Sequence, residues 1–128
     1  MPIVRIDIQA GKSPQHKRAV LAGVRAGIAS AFGVDDDRIM QRIVETDAAD
    51  IDNTSVRTSD FTVVNIQMVG GRADAAKEEL YRAIESNLAE NPGVRGRDLV
   101  ILVTDPPAEC FFLDGEMRRS APAEEPSS

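Results

Sequence analysis

The residue of this sequence best suited to acid–base work at neutral pH is Pro2, directly after the initiator methionine. Removal of methionine before a small second residue leaves a secondary amine at the chain end. A free α-amino group has an ordinary pKa of about 7.7–8.0. Burial beside cations lowers it, because both disfavour the charged form. A neutral amine near pH 7 can serve as a general base. Proline at position 2 is common and by itself says nothing; its placement adds the weight. It opens a β-strand, and a strand tolerates proline at its first residue because the missing N–H is not needed there.

Such a base needs a cation nearby to hold an anionic partner. Lys12 follows the first strand, which at about 3.3 Å per residue puts it about 23 Å from Pro2. If the chain has two halves running antiparallel, Arg72 comes to the Pro2 end instead. Its planar fork suits a carboxylate; the other reading is an exposed arginine near a helix start. Arg42 is either a second cation for the substrate or a solvent-facing residue on an edge strand. The acidic run Asp35–Asp37 reads as a solvated turn. His16, the only histidine, reads as a surface residue. Cys110 has no histidine near it in sequence and is not expected to act as a thiol nucleophile. As the only cysteine it excludes an intramolecular disulfide and a cysteine-built zinc or iron–sulfur site. Phe111 and Phe112 are expected to pack against the pocket or a neighbouring subunit. Gly70-Gly71 lacks the pattern of a phosphate-binding loop.

The elements that position these residues come from a repeat. An ungapped shift of 60 residues lays Ile3, Val4, Ile6 and Ile8 on Val63, Val64, Ile66 and Met68. The same shift lays Gly11-Lys12 on Gly71-Arg72, Lys17 on Lys77, and Val20, Val24 and Ile28 on Leu80, Ile84 and Leu88. Gly33-Val34 falls on Gly93-Val94. Each half reads as a strand (Pro2–Ile8 or Thr62–Val69), a glycine turn, a helix of about five turns, and a second strand (Ile39–Glu45 or Asp98–Thr104). Ser13 is the expected N-cap of the first helix with Pro14 at its first position, and Gly33 its C-cap. Asp74 stands near the start of the second helix, and Pro92-Gly93 ends it. Strand–helix–strand units of this length carry parallel strands and a right-handed crossover. The fold class expected is α+β: two tandem β-α-β units forming a four-stranded sheet with two helices on one face. Ile6, Ile8, Ile66 and Met68, with Val4 and Val64, are expected to make the sheet apolar in both directions. Its second face would then need a partner, and self-association is the economical cover.

One domain is expected over residues 1–115, with repeats 2–46 and 62–106, a polar linker at 47–61 and a flexible tail at 116–128. Apolar residues make up 42% and charged residues 28%, as in an ordinary globular domain. A net charge of −6 disfavours nucleic acid and anionic membrane surfaces as partners, and does not exclude a cationic pocket for a small anion. The opening MPIVRIDIQAGK has no apolar signal region, and no apolar run approaches the ~20 residues of a membrane span. The cytosol is the expected location.

At these residues the chain resembles the tautomerase superfamily. MPIVRIDIQAGKS looks like the opening of 4-oxalocrotonate tautomerase and its relatives. The duplication looks like the fused branch, which includes malonate semialdehyde decarboxylase and macrophage migration inhibitory factor. DDDRIMQRIVE, MVGGRADAAKEELYRAI and VTDPPAECFF most resemble the decarboxylase-like members. The resemblance covers about residues 1–115. It implies a homotrimer without cofactor or metal, in which Pro2 moves protons between carbon and oxygen of small 2-oxo or enol carboxylic acids. In the decarboxylase pattern an R-x-R turn falls on Gly70 and Arg72, so only the second arginine is present. The water-activating aspartate of that pattern falls on Asp37, and Phe111 stands where relatives often carry tryptophan. The function so implied is keto–enol tautomerisation with Pro2, Arg72 and Asp37 as catalytic residues and Arg42 and Phe111 at the substrate. The alternatives are decarboxylation or hydration of a 3-oxo acid, or a non-catalytic trimeric binding protein.

Overall fold

A computed structural model describes residues 1–121. The chain runs β1 (Ile3–Gln9), α1 (Pro14–Phe32), β2 (Met40–Thr46), β3 (Thr62–Gln67), α2 (Asp74–Glu90), β4 (Leu99–Thr104), β5 (Phe112–Leu113) and β6 (Glu116–Met117). The first four strands form one sheet in the order β2-β1-β3-β4. β1 is parallel to β2, and β3 to β4. At the centre β1 meets β3 antiparallel, with Ile3 opposite Gln67 and Ile8 opposite Thr62. This is the expected pair of β-α-β units.

Local signals set the ends of the elements. The Ser13 hydroxyl accepts the His16 N–H at 3.0 Å, Pro14 opens α1, and Gly33 closes it in the left-handed conformation. The duplication reaches details beyond the pattern of polarity. Gly11 and Gly71, one after each leading strand, share a φ of 107°, a conformation that L side chains rarely adopt. Short 3₁₀ turns at Asp36–Arg38 and Ala48–Asp50 are repeated 60 residues on at Gly96–Asp98 and Ala108–Cys110. Lys17 pairs with Glu45, and Lys77 pairs with Asp105 at 3.0 Å in the equivalent place.

The core lies between the helices and one face of the sheet. Val4, Ile6 and Ile8 of β1 and Val64, Ile66 and Met68 on the β3 side are buried beneath Val20, Val24 and Ile28 of α1 and Leu80, Ile84 and Leu88 of α2. This corrects the expectation of a sheet apolar in both directions. Strand side chains alternate, so Val4 and Val64 share the face of Ile6 and Ile66, and one core takes them all. The opposite face is mostly polar at its centre, where Arg5, Asp7, Arg42, Asn65, Gln67 and Thr104, with Ile3, line a groove of about 400 Å³.

Glu116–Met117, within the segment expected as a tail, pair with Phe112–Leu113 as a hairpin. The turn is Asp114-Gly115, with φ of 55° and 81°, the two-residue hairpin connection that favours this dipeptide. Residues 122–128 of the expected tail lie outside the described residues. The linker is not confined to solvent either, since Thr58 bonds to the buried Asp98. No helix of the described residues is long and apolar enough to cross a membrane.

Candidate active site

The antiparallel centre of the sheet brings the start of β1 beside the end of β3, and so beside the turn that carries Arg72. Pro2 is buried there. Its carbonyl accepts the Met40 N–H at 3.1 Å, which fixes the residue at the sheet end. One residue further out, Met1 reaches a cavity of about 180 Å³ lined also by Arg38, Val69, Leu113, Asp114 and Arg118. The amino group sits below its ordinary value of 8.0, first through burial, then through the positive charges of Arg38, Arg118 and Arg72. A strand end, an amine losing its affinity for a proton and three guanidiniums thus share one place.

Each arginine comes from a different element. Arg38 ends the 3₁₀ turn before β2, and its N–H bonds to the Asp35 carbonyl at 3.0 Å. Arg118 follows β6; its N–H donates to the Phe111 carbonyl at 2.9 Å and its guanidinium pairs with Asp114 at 2.8 Å. Arg72 donates to the Phe32 carbonyl at 3.4 Å and stands 5.0 Å from the centroid of the Phe32 ring. Both contacts hold the cation against the C-terminal end of α1, where a positive charge is favoured.

Of the residues singled out from sequence, Pro2 and Arg72 come to the same end of the sheet. Asp37 sits on the 3₁₀ turn beside Arg38 with its side chain exposed. Phe111 is buried, and its backbone anchors Arg118; Phe112 is 73% exposed. Arg42 stands apart from the Pro2 cavity, on the outer sheet face in register with Arg5. His16 is at the other end of β1, partly buried, with Nε2 lacking a partner. Burial and Lys12 lower its proton affinity, and Asp60 opposes them.

Nothing in the sequence marks Arg38, one charge in an acidic run, or Arg118 itself, in a segment that reads as a tail. The Asp114-Gly115 turn signal could have placed Arg118. Gly70 stands where the decarboxylase-like pattern has its first arginine. A Cβ there would lie 2.5 Å from the Asp105 carbonyl oxygen, so the backbone leaves no room for the first arginine of an R-x-R turn.

The opposite end of the sheet shows what the duplicated copy became. Buried Thr62 stands where Pro2 stands, and Lys12 pairs with Asp60. Asp98, the counterpart of Arg38, is 1% exposed. It accepts the Thr58 N–H at 2.6 Å and the Thr58 hydroxyl at 2.8 Å. Burial would raise its carboxyl, but these bonds, with Arg95 behind them, hold it below the usual range. Lys12 and Asp98 of that end are thus both paired within the chain. Among the described residues no group of three or more His, Cys, Asp or Glu is placed to hold a metal.

Solved structures share this architecture. FG41 malonate semialdehyde decarboxylase inhibited by 3-bromopropiolate is 22% identical, with a TM-score of 0.79 over 87% of this chain and 88% of that one. A fused 4-OT, solved as a symmetric trimer, is 20% identical, with a TM-score of 0.80 over 91% of this chain and 94% of that one. Pt0534, inactivated by 2-oxo-3-pentynoate, is 16% identical, with a TM-score of 0.82 over 91% and 94%. At these identities the likeness establishes the fold. The sequence model of the family described as "Tautomerase enzyme" matches residues 40–111, more than half of the chain. With that match added to the paired β-α-β units, the chain belongs to the tautomerase family.

Proposed function

We propose that this chain is a keto–enol tautomerase of small 2-oxo or enol carboxylic acids, with Pro2 as its base once Met1 is removed. The observation that carries the reading is the placement of buried Pro2 at the head of β1, next to a Met1 amine that burial, Arg38, Arg118 and Arg72 shift towards its neutral form. Met1 stands one residue beyond Pro2, so the exposed proline nitrogen would inherit the same surroundings. The neutral amine takes a proton from an enol hydroxyl or an acidic carbon. Arg72 and Arg38 hold the substrate carboxylate and the charge that develops on the oxygen. The protonated amine then delivers the same proton to carbon, and no cofactor is consumed.

Two further parts belong to this proposal. The chain assembles as a homotrimer through its outer sheet face, as the fused 4-OT neighbour is a trimer. It works in the cytosol, where methionine removal from Pro2 takes place. Asp37 supports a second reading, hydration or decarboxylation of a 3-oxo acid, because it stands exposed beside Arg38 where it could orient a water.

The test is ketonisation of phenylenolpyruvate, with intact mass confirming the loss of Met1. Pro2→Ala is expected to lower kcat/KM by about 10²–10⁴-fold, the usual weight of a general base. Asp37→Asn is expected to leave it within about threefold. Processed wild type with no activity, or a Pro2→Ala chain as active as wild type, would falsify the proline mechanism. Loss of hydration in Asp37→Asn with tautomerisation intact would move the second reading ahead.

A further inference from the structure

Two arginines of the outer sheet face lie outside the Pro2 site. Arg5 of β1 and Arg42 of β2 are register partners on neighbouring parallel strands, and both line the groove of about 400 Å³. Neighbouring strands stand about 4.8 Å apart. Like charges facing one another across that spacing are unfavourable, so folding brings together two guanidiniums that repel. Asp7 is the one carboxylate lining the groove, and it is engaged by Arg5 at 3.0 Å. Arg42 is exposed, and among the described residues it is in no ion pair. The other polar lining is neutral. Asn65 stands opposite Arg5, and Gln67 is the register partner of Thr104. Their amides and hydroxyl can all donate. The groove is thus locally cationic in a chain of net charge −6.

We propose that this groove is a second binding site, for a small polyvalent oxyanion of the diphosphate kind. Arg42 and Arg5 each take one charged group of the anion, and Asn65 and Gln67 donate to its remaining oxygens. A guanidinium fork engages phosphate oxygens bidentately. Two adjacent negative groups offset the repulsion of both arginines, which a monovalent ion would do only in part. Arg42 matters most, because it has no partner to give up. Arg5 has Asp7, but with side chains 50% and 25% exposed this is a surface pair of small net strength. None of these residues lines the cavity beside Met1. The site is therefore separate from the proposed chemistry and stands whether or not the chain is a tautomerase.

The experiment is an NMR titration of the full chain with pyrophosphate, read at the arginine Nε–H signals and repeated with acetate at equal ionic strength. In wild type the Arg5 and Arg42 signals are expected to shift together along one binding curve, at concentrations where acetate moves neither. Arg42→Gln, read at Arg5, should weaken binding by about 10-fold or more, the weight of one charged hydrogen-bonding contact. Asp7→Asn, which frees Arg5, should tighten it severalfold and serves if Arg42→Gln fails to fold. Shifts confined to Arg38, Arg72 and Arg118 would put the anion in the Pro2 cavity and overturn the inference. So would an acetate response equal to that of pyrophosphate, or an Arg42→Gln chain that binds as tightly as wild type.

Discussion

An amine that is harder to protonate stays a base at lower pH, and burial, aided by three arginines from three elements, produces that condition at the Met1 amine. Burial contributes most, then Arg38, then Arg118 and Arg72. The sign is direct. Each cation disfavours a second positive charge, so removing one raises the amine's affinity for its proton. That shift is seen at the Met1 amine, and a Pro2 nitrogen freed in the same place is expected to have its acid limb of kcat/KM displaced to lower pH by the same causes. In Arg38→Gln the limb should move to higher pH, read from a pH–rate profile with phenylenolpyruvate. A limb that stays in place would mean that Arg38 does not sense the amine. Residues of this site differ in how legible they were. Pro2 and Arg72 could be found from sequence because a repeat and an antiparallel assumption place both at one sheet end. Arg38 could not, because in DDDR it is one charge in a solvated turn until the strand beside it is aligned with Pro2. Arg42 has the right chemistry, but strand alternation turns it to the outer face, in register with Arg5.

At the scale of elements, the strongest constraint lies between the helices. α1 and α2 approach closely at Gly23 and Gly27. A Cβ at Gly27 would lie 2.7 Å from Ile84 Cγ1. Ile84 is fully buried and cannot swing away. An alanine at 27 would gain about 1 kcal/mol of helix propensity but overpack the interface by about 1–3 kcal/mol. Gly27→Ala is therefore expected to destabilise by up to about 2 kcal/mol in denaturant unfolding, with activity retained in the folded fraction. A more stable variant would show that the helices can slide apart. The helices and the four long strands were legible because periodicity, Ser13, Pro14 and Gly33 agree with one another, and the register of the repeat supplied the rest. The β5–β6 hairpin was not. Its strands are two residues each, too short for alternation to show, and only Asp114-Gly115 marks it. That element carries Arg118 to the cavity beside Met1, a placement that nothing but the turn marks in the sequence.

For the whole molecule, the proposed assembly rests on the outer sheet face. Its centre is polar, with Arg5 paired to Asp7 at 3.0 Å. Towards its edges stand Met40, 49% exposed, and Leu102, 51% exposed. β2 and β4 are the edge strands of the sheet, and open edges invite pairing with another chain. A face with a polar centre and apolar flanks suits contact with copies of itself at the flanks, so that the centre remains wet. In the proposed trimer Leu102 would be buried, and its loss should weaken assembly more than folding, because it packs against little within its own chain. Sedimentation of wild type is expected at three times the chain mass. Leu102→Asp should shift it towards one, since the new carboxylate would be buried without a partner. The melting temperature of wild type should rise with protein concentration, and that of a monomeric Leu102→Asp chain should not. A wild-type monomer at micromolar concentration would remove the trimer from the proposal. A trimer that survives Leu102→Asp would place the contact elsewhere, on the edges of β2 and β4 instead of the face between them.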